Sequence, residues 1–169
     1  MKRKNLWAPW RMEYIRGLSK PGGCFLCEYI RNPQKDGDNL VLWRAEHSFV
    51  VFNRYPYNNG HMLICPNRHI ADFTQATDPE TSEMMKLVRE TQNILKEAIR
   101  AQGFNVGMNF GRCAGAGLPG HLHIHVVPRW EGDTNYMAVC GGTDVISQGL
   151  RDLYDQLRQI SDERKLPAL

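Results

Sequence analysis

Short apolar runs separated by turn-forming segments fill the first three quarters of the chain, and this pattern predicts β-strands. Residues 40–43 and 49–52 flank a polar connection and are typical of an antiparallel hairpin. A third strand is predicted at residues 61–66, after a long turn rich in Asn, Pro and Gly. A fourth strand at residues 104–110 and a fifth within residues 120–129 complete a sheet of about five strands.

Two stretches carry helical periodicity instead. Between the third and fourth strands, apolar residues recur at spacings of three and four over residues 84–98. Thr77 or Asp78 can cap the start of this helix, and Gly103 marks its end. The apolar pattern of residues 146–160 predicts a second amphipathic helix. The fold class is therefore α+β: an antiparallel sheet covered by helices, with one long crossover helix and a C-terminal helix.

Composition narrows the class of protein. The chain has 169 residues, of which 42% are hydrophobic and 23% charged, which is typical of a single globular domain. Its net charge of +3 is too small to indicate nucleic-acid binding and suits a small anionic substrate. No apolar run reaches the roughly 18 residues of a membrane span, and the basic residues 2–4 precede no signal-peptide core. We therefore expect neither a nucleic-acid nor a membrane partner.

The five cysteines do not resemble a disulfide framework, because their number is odd and only one pair is close in sequence. This favours a reducing compartment such as the cytoplasm.

Three of the six histidines, His121, His123 and His125, alternate along the predicted fifth strand. Alternate strand residues point to one face, so neighbouring imidazoles would lie about 7 Å apart. The opposite face, toward the core, would carry Leu122, Ile124 and Val126. A purely structural use is one interpretation, but burying three unsatisfied rings is costly. The chemical alternatives are a metal site and a histidine acting as nucleophile or acid–base catalyst.

The middle histidine is the best candidate for a nucleophile. Three rings of one row converge on a single metal ion only with strain, because each nitrogen must lie about 2.0–2.1 Å from it. A nucleophilic imidazole needs one nitrogen at the substrate and the other held by an acceptor, and His123 has supporting groups on both sides. The glycine-rich segment 109–120 is either a flexible loop or a set of N–H groups for an anion. Because the glycine-rich segment lies next to the histidines and Arg129 in the sequence, it suggests phosphate chemistry.

The heptapeptide at residues 121–127, His-Leu-His-Ile-His-Val-Val, resembles the signature of the histidine-triad (HIT) superfamily. The resemblance spans about residues 24–130, which would form a HIT core. Residues 1–20 would be an N-terminal arm and residues 131–169 a C-terminal extension, all in a single domain over residues 1–169. The motifs at residues 7–12 and 132–137 resemble the branch that contains bacterial diadenosine tetraphosphate (Ap4A) phosphorylases. Aromatic residues of the arm either pack on the domain or a second subunit, or border a base pocket.

The resemblance implies nucleotidyl transfer or hydrolysis at an α-phosphate of a dinucleoside polyphosphate or another adenine nucleotide. His123 would form a nucleotidyl-histidine intermediate, which phosphate or water then releases; with phosphate, Ap4A yields ATP and ADP. His125 and His61 match histidines beside the nucleophile, and Asn53 matches a contact to the ribose. The expected phosphate-binding residues are Asn109, Gly115, Ala116 and Gly117. Many hydrolases of the superfamily carry a glutamine where this chain continues Ala116-Gly117, which fits the phosphorylase branch better.

Cys24 and Cys27 are separated by two residues and have three interpretations. They are two ordinary small residues, a redox pair, or half of a structural zinc site; no βαβ pattern surrounds them to favour the redox pair. Zinc needs two further ligands, and the spare histidines are His69 and His121. HIT relatives and related uridylyltransferases with such a pair use the equivalent histidines. The resemblance thus implies a closed Cys2His2 site with one structural zinc per chain, leaving His47 at the surface.

Three functions stay open at this point. The first is a phosphorylase or hydrolase of dinucleoside polyphosphates. The second is a nucleoside phosphoramidase or nucleotide hydrolase of the same superfamily that releases AMP. The third is a nucleotide-binding or zinc-dependent interaction module without turnover. Because relatives are typically dimers, we also expect a homodimer, with the helix near residues 84–99 as a possible contact. Magnesium could assist with a polyphosphate substrate.

Overall fold

The structure, a computed structural model, describes residues 23–134, 140–141 and 145–169. Its described part contains one antiparallel sheet in the strand order β1-β2-β3-β5-β4. The strands are β1 Val41–Arg44, β2 Ser48–Phe52, β3 Met62–Pro66, β4 Gly103–Gly107 and β5 Ile124–Arg129. The predicted five-stranded α+β fold is confirmed.

Helices precede, cross and follow this sheet. They are α1 Phe25–Arg31, the single turn α2 Asp36–Asn39, the crossover helix α3 Asp78–Ile99 and the C-terminal helix α4 Leu150–Arg164. A capping box starts α3, because the Thr77 side chain accepts from the N–H of Glu80 and the Glu80 side chain accepts from the N–H of Thr77. The predicted crossover and C-terminal helices are confirmed.

The main apolar core lies on the sheet face that α3 and α4 cover. Leu122, Ile124 and Val126 point into it with at most 3% of their surface exposed, as the alternating pattern predicted. Helix α4 belongs to the same core, since Trp43 Nε1–H donates to Ser161 Oγ at 2.9 Å. The histidines are thus backed by a rigid apolar wall.

Among the described residues, α1 packs against one part of the opposite sheet face. A smaller apolar cluster lies there, formed by Leu26, Val41, Phe49, Val51, Leu63 and Cys65. Beside it the face becomes polar: on β5, His125 is paired with Leu63 of β3 and with Gly107 of β4. His125 therefore lies at the border of the smaller apolar cluster.

Several predicted boundaries were wrong. Only His125 of the three alternating histidines lies within a strand, because β5 begins at Ile124; His121 and His123 lie in the segment before it. His61 likewise precedes β3. Strand β4 ends at Gly107 rather than at residue 110, because the chain turns there into the glycine-rich connection.

Helix boundaries also differ from the prediction. Residues 32–39 carry no apolar period that would predict a helix, yet they contain the 3-10 turn Pro33–Lys35 and α2. Helix α1 was not predicted, because seven residues are too few to show a clear period. Helix α4 begins and ends four residues later than expected, at Leu150 and Arg164, and its buried face extends from Leu153 to Ser161.

The N-terminal arm at residues 1–20 and the motif residues 135–137 lie outside the described residues. Within the described ranges, no helix combines the length and apolar character needed to cross a membrane.

Candidate active site and metal centre

His123 lies in the extended segment directly before β5, with 8% of its surface exposed. Its Nδ1 lies 2.8 Å from the backbone carbonyl oxygen of His121. A carbonyl oxygen can only accept, so Nδ1 carries the proton and donates it. The lone pair of Nε2 is then left free, which is the tautomer a nucleophilic imidazole requires.

His61 lies directly before β3 and is fully buried, and a backbone donor sets its tautomer. The N–H of Tyr57 donates to His61 Nδ1 at 3.1 Å, so neutral His61 carries its proton on Nε2. That Nε2 lies 2.9 Å from His125 Nδ1 and must donate to it. Neutral His125 therefore carries its own proton on Nε2. The result is a chain of hydrogen bonds that all run in one direction, from the Tyr57 N–H through His61 to His125, whose Nε2–H is left to donate. We call this hydrogen-bond chain the proton chain.

Electrostatics keep both rings of this chain neutral. Burial, together with smaller contributions from the nearby rings of His125 and His123, lowers the pKa of His61 to about 3. Burial also lowers the pKa of His125 to about 4, again with a contribution from His123. Near pH 7 each ring therefore holds one proton, and the direction of the hydrogen bonds is fixed.

The nucleophile candidate and the end of this chain are neighbours. The rings of His123 and His125 lie edge to face, with their centroids 4.8 Å apart. A lone pair on one ring thus lies beside an N–H donor on the next. Such a pair can attack an electrophilic phosphorus while donating a hydrogen bond to one of its oxygens.

A second cluster lies at the other end of the histidine segment. The side chains of Cys24, Cys27, His69 and His121 bring one potential ligand atom each within 4.8 Å of one another. Cys24 precedes α1, Cys27 lies in its first turn, His69 follows β3, and His121 precedes β5. Because β3 and β5 are antiparallel neighbours, the end of β3 and the start of β5 lie side by side, and the cluster joins α1 to that end of the sheet.

The donor geometry fits one tetrahedral zinc ion. His121 Nδ1 lies 3.2 Å from Cys24 Sγ and 3.5 Å from Cys27 Sγ, and His69 Nδ1 lies 3.2 Å from Cys27 Sγ. Zinc bonded to sulfur at about 2.3 Å and to nitrogen at about 2.0 Å would hold such atoms roughly 3.5 Å apart. His121 Nε2 lies 2.9 Å from the carbonyl oxygen of Pro66; this bond keeps the proton on Nε2 and leaves Nδ1 free for a metal.

Comparison with known proteins identifies the family. Residues 34–132 match the HIT domain. The "AP-4-A phosphorylase" of Mycobacterium tuberculosis is 38% identical over 88% of this chain and 80% of that protein. The chain belongs to the HIT domain family.

Solved HIT structures have the same fold. A zinc-bound histidine triad family protein from Mycobacterium smegmatis superposes with a TM-score of 0.68 over 85% of this chain and 96% of that chain, at 22% identity. A hypothetical histidine triad nucleotide-binding protein from Sulfolobus tokodaii gives a TM-score of 0.67 at 25% identity, over 84% of this chain and 94% of that chain.

In this HIT domain the glycine-rich connection starts beside His125, because Gly107 pairs with it across the sheet. Gly111 and Gly115 adopt left-handed backbone angles, with φ of 77° and 86°, which glycine tolerates without strain. The N–H groups of Gly115 and Ala116 donate to loop carbonyl oxygens at 3.0 and 3.3 Å. These two expected phosphate donors thus close the turn of the loop, and a phosphate would have to share them. For Asn109 and Gly117 phosphate binding stays a prediction.

The expected ribose contact, Asn53, lies at the histidines. Its Nδ2 is 3.3 Å from His61 Nδ1, and its Oδ1 accepts from the N–H of Tyr55 at 2.9 Å. Arg129, which the sequence linked to phosphate, instead pairs with Asp133 through Nε at 2.6 Å and Nη2 at 2.7 Å. His47 lies outside both clusters, and 36% of its side chain is exposed.

Sequence reasoning missed Tyr57. Its ring lies against His61, with centroids 4.7 Å apart, and is nearly parallel to His125 at 5.8 Å and 28°. More than half of its surface is exposed. The available signal was the Tyr-Pro-Tyr segment shortly before His61, which predicts a turn but not which ring or N–H meets the histidines.

Proposed function

We propose that this HIT-domain protein is an enzyme that cleaves dinucleoside polyphosphates, with Ap4A and inorganic phosphate as substrates and ATP and ADP as products. The observation that carries the proposal is the pair of opposite tautomers: a free lone pair on His123 Nε2 beside an N–H on His125 Nε2. This pair suits in-line transfer of a nucleotidyl group. The 38% identical relative named AP-4-A phosphorylase supports the choice of substrate.

The first half of the reaction transfers a nucleotidyl group to the enzyme. His123 Nε2 attacks the α-phosphorus of Ap4A, a P–N bond forms, and the P–O bond to the leaving ATP breaks. The His123 ring becomes positively charged while Nδ1 keeps its proton on the His121 carbonyl oxygen, which stabilises that charge. His125 Nε2–H donates to the phosphate oxygens as negative charge shifts onto them.

The second half regenerates the free histidine. An oxygen of inorganic phosphate attacks the adenylyl phosphorus, the P–N bond breaks, and ADP leaves with the nucleotidyl group. His123 returns to its neutral tautomer without losing the Nδ1 proton. Water in place of phosphate would give AMP. The Ala116-Gly117 sequence, where many hydrolases of the superfamily have a glutamine, favours phosphate as the acceptor.

A second candidate function uses the same residues. A nucleoside phosphoramidase would form the same adenylyl-histidine from an adenosine phosphoramidate and release AMP by hydrolysis. It predicts higher efficiency on the phosphoramidate than on Ap4A. A nucleotide-binding module without turnover would give no product from either compound.

We also propose one structural zinc per chain, held by Cys24, Cys27, His69 and His121. Support comes from the closed Cys2His2 donor set and from the geometry of the His121 ring. Zinc bound there would cross-link α1 to the histidine segment, and it has no open position for a substrate. Magnesium, if it takes part, would enter bound to the polyphosphate rather than to this cluster.

For the assembly we propose a homodimer of single-domain chains in the cytoplasm. Strand β4 is at the edge of the sheet, and its Val106 is 42% exposed. Met85 on α3 is 54% exposed. An edge strand with an exposed apolar side chain suits pairing with a second copy, and Met85 marks a separate exposed apolar position on α3.

The covalent intermediate gives the test of this mechanism. Protein mixed with Ap4A without phosphate, then quenched in alkali, should carry one adenylyl group, and peptide mass spectrometry should locate it on His123. The His47→Ala variant should be labelled to the same extent. An adduct on another residue, or none at all during measurable turnover, would refute the assignment.

A further inference from the structure

The carboxylate of Asp133, in the turn that follows β5, accepts hydrogen bonds from two segments of the chain. Asp133 Oδ2 accepts from Arg129 Nε at 2.6 Å, from Asn58 Nδ2 at 2.9 Å and from the N–H of Trp130 at 3.2 Å. Its Oδ1 accepts from Arg129 Nη2 at 2.7 Å. The guanidinium of Arg129 holds the pKa of Asp133 well below its usual range, so the carboxylate stays charged.

Asn58 connects this carboxylate to the turn before His61. Its Nδ2 also reaches the carbonyl oxygen of Pro128 at 3.2 Å, and its backbone oxygen accepts from the N–H of His61 at 3.2 Å. The turn that follows β2 is thereby fastened to the end of β5. We use the name brace for Asn58 and Asp133 together.

The brace adjoins the donor that sets the His61 tautomer. Tyr57, whose N–H donates to His61 Nδ1, is the residue directly before Asn58. The other donor near that nitrogen, Asn53 Nδ2, is longer at 3.3 Å and also lies 3.5 Å from His61 Nε2. Because Asn53 Nδ2 contacts both ring nitrogens at similar and longer distances, the Tyr57 N–H is the contact that most strongly favours one tautomer.

We propose that Asn58 and Asp133 are positioning residues, which hold the Tyr57 N–H on His61 and so set the direction of the proton chain that ends at His125 Nε2. The proposal deepens the proposed function and rests on it for the role of His125 in catalysis. Neither residue touches the reacting atoms, so both act through Tyr57 and His61.

Loss of the brace would allow the hydrogen bond between His61 and His125 to reverse its direction. If the turn moved, His61 could carry its proton on Nδ1, and its Nε2 would then accept from His125 Nδ1–H. His125 Nε2 would face the phosphate as a lone pair instead of a donor. A lone pair repels phosphate oxygens, so the reacting group would lose a hydrogen bond that strengthens as charge develops.

The test compares two variants of the brace with a matched ion pair elsewhere. Asp133→Asn removes the charge, and Asn58→Ala removes the link while leaving the Arg129–Asp133 pair in place. The control is Asp36→Asn, since Asp36 also binds one arginine through both oxygens, Arg44 at 2.6 and 2.7 Å. Imidazole ¹⁵N chemical shifts of the full-length protein report which ring nitrogen of His61 is protonated.

In the wild type we expect protonated Nε2 and unprotonated Nδ1 on His61. Both brace variants should shift its ¹⁵N signals toward a tautomer mixture and lower kcat on Ap4A about tenfold, with KM within about twofold. The double variant should be about as slow as either single one, because both break one connection. The Asp36→Asn control should keep the wild-type signals and kcat.

Unchanged His61 signals in both brace variants would overturn the proposal, as would an equal loss of kcat in Asp36→Asn. The ¹⁵N measurement requires no turnover. A wild type that is inactive on Ap4A would therefore refute the proposed function, while the His61 signals would still decide whether the brace sets the tautomer.

Discussion

The backbone carbonyl oxygen of His121 accepts a hydrogen bond from Nδ1 of His123, two residues further along the chain, at 2.8 Å. The side chain of the same His121 lies in the Cys2His2 cluster, with Nδ1 3.2 Å from Cys24 Sγ. One residue therefore joins the two halves of the site. Its ring anchors the segment, and its backbone sets the tautomer of the candidate nucleophile.

Replacing His123 should abolish turnover without unfolding the protein. His123→Ala removes the attacking nitrogen, so we expect kcat on Ap4A to fall by at least about 10³-fold, measured by chromatography of the products. Circular dichroism should show a folded protein, since His123 lies in the segment before β5 and is not part of either apolar cluster. His47→Ala is the control and should keep wild-type activity. Appreciable turnover in His123→Ala would show that another group attacks the phosphorus.

The sequence was sufficient to predict the architecture because its signals are periodic and local. Apolar runs between turn formers located the strands, and the capping box together with the period of three and four located α3. Helix α1 escaped prediction because its seven residues span only about two turns. Its position depends on contacts of Cys24 and Cys27 with His69 and His121, far away in the chain.

Zinc should be present in protein that was never exposed to added metal. Elemental analysis is expected to give about one zinc per chain, and removal by a chelator should lower Tm, because a structural metal contributes folding free energy. Cys27→Ala should lose the metal, whereas Cys113→Ala, which changes an exposed thiol outside the cluster, should keep it. If elemental analysis finds no zinc in the wild-type protein, the proposed Cys2His2 zinc site is wrong.

Gly60 is expected to tolerate no side chain. Its φ is +76°, and an added Cβ would lie 3.0 Å from Ile99 Cδ1 and 3.1 Å from Leu95 Cδ2. Gly60→Ala should therefore destabilise the protein by about 1–3 kcal/mol, measured by urea unfolding. Gly37→Ala is the matched control, because nothing lies within 4 Å of its added Cβ. Equal stability of the two variants would contradict this account of the turn before His61.

The buried carboxylate of Glu80 should make stability depend on pH. The Arg68 guanidinium and the N–H and hydroxyl of Thr77 lower the pKa of Glu80 from about 4.5 to about 2. A lowered pKa in the folded state stabilises the protein above the unfolded value, and this contribution is lost as pH falls from about 4.5 through about 2. Because Arg68 is 53% exposed, we expect only about 1–2 kcal/mol.

Urea unfolding of wild type and Glu80→Gln between pH 2 and pH 7 measures this contribution. The difference between the two proteins should be largest near pH 7 and shrink toward pH 2. A difference that is independent of pH would rule out ionised Glu80 as its source.

The tautomers of the site could not be predicted from the sequence. Sequence reasoning gave His121, His123 and His125 different roles, but it could not identify the groups that their ring nitrogens meet, which are a cysteine thiol, a backbone carbonyl and another imidazole. These partners are set by tertiary structure. The same holds for Asn58 and Asp133, which are ordinary turn residues in the sequence and meet only when the end of β5 lies beside the turn before His61.

The most direct test of the proposed activity is product analysis with Ap4A in the presence and absence of inorganic phosphate. We predict equal amounts of ATP and ADP when phosphate is present, and little sustained turnover without it. Formation of AMP and ATP at a rate independent of phosphate would contradict phosphorolysis. Absence of any cleavage under both conditions would contradict the assignment of this chain as an enzyme acting on dinucleoside polyphosphates.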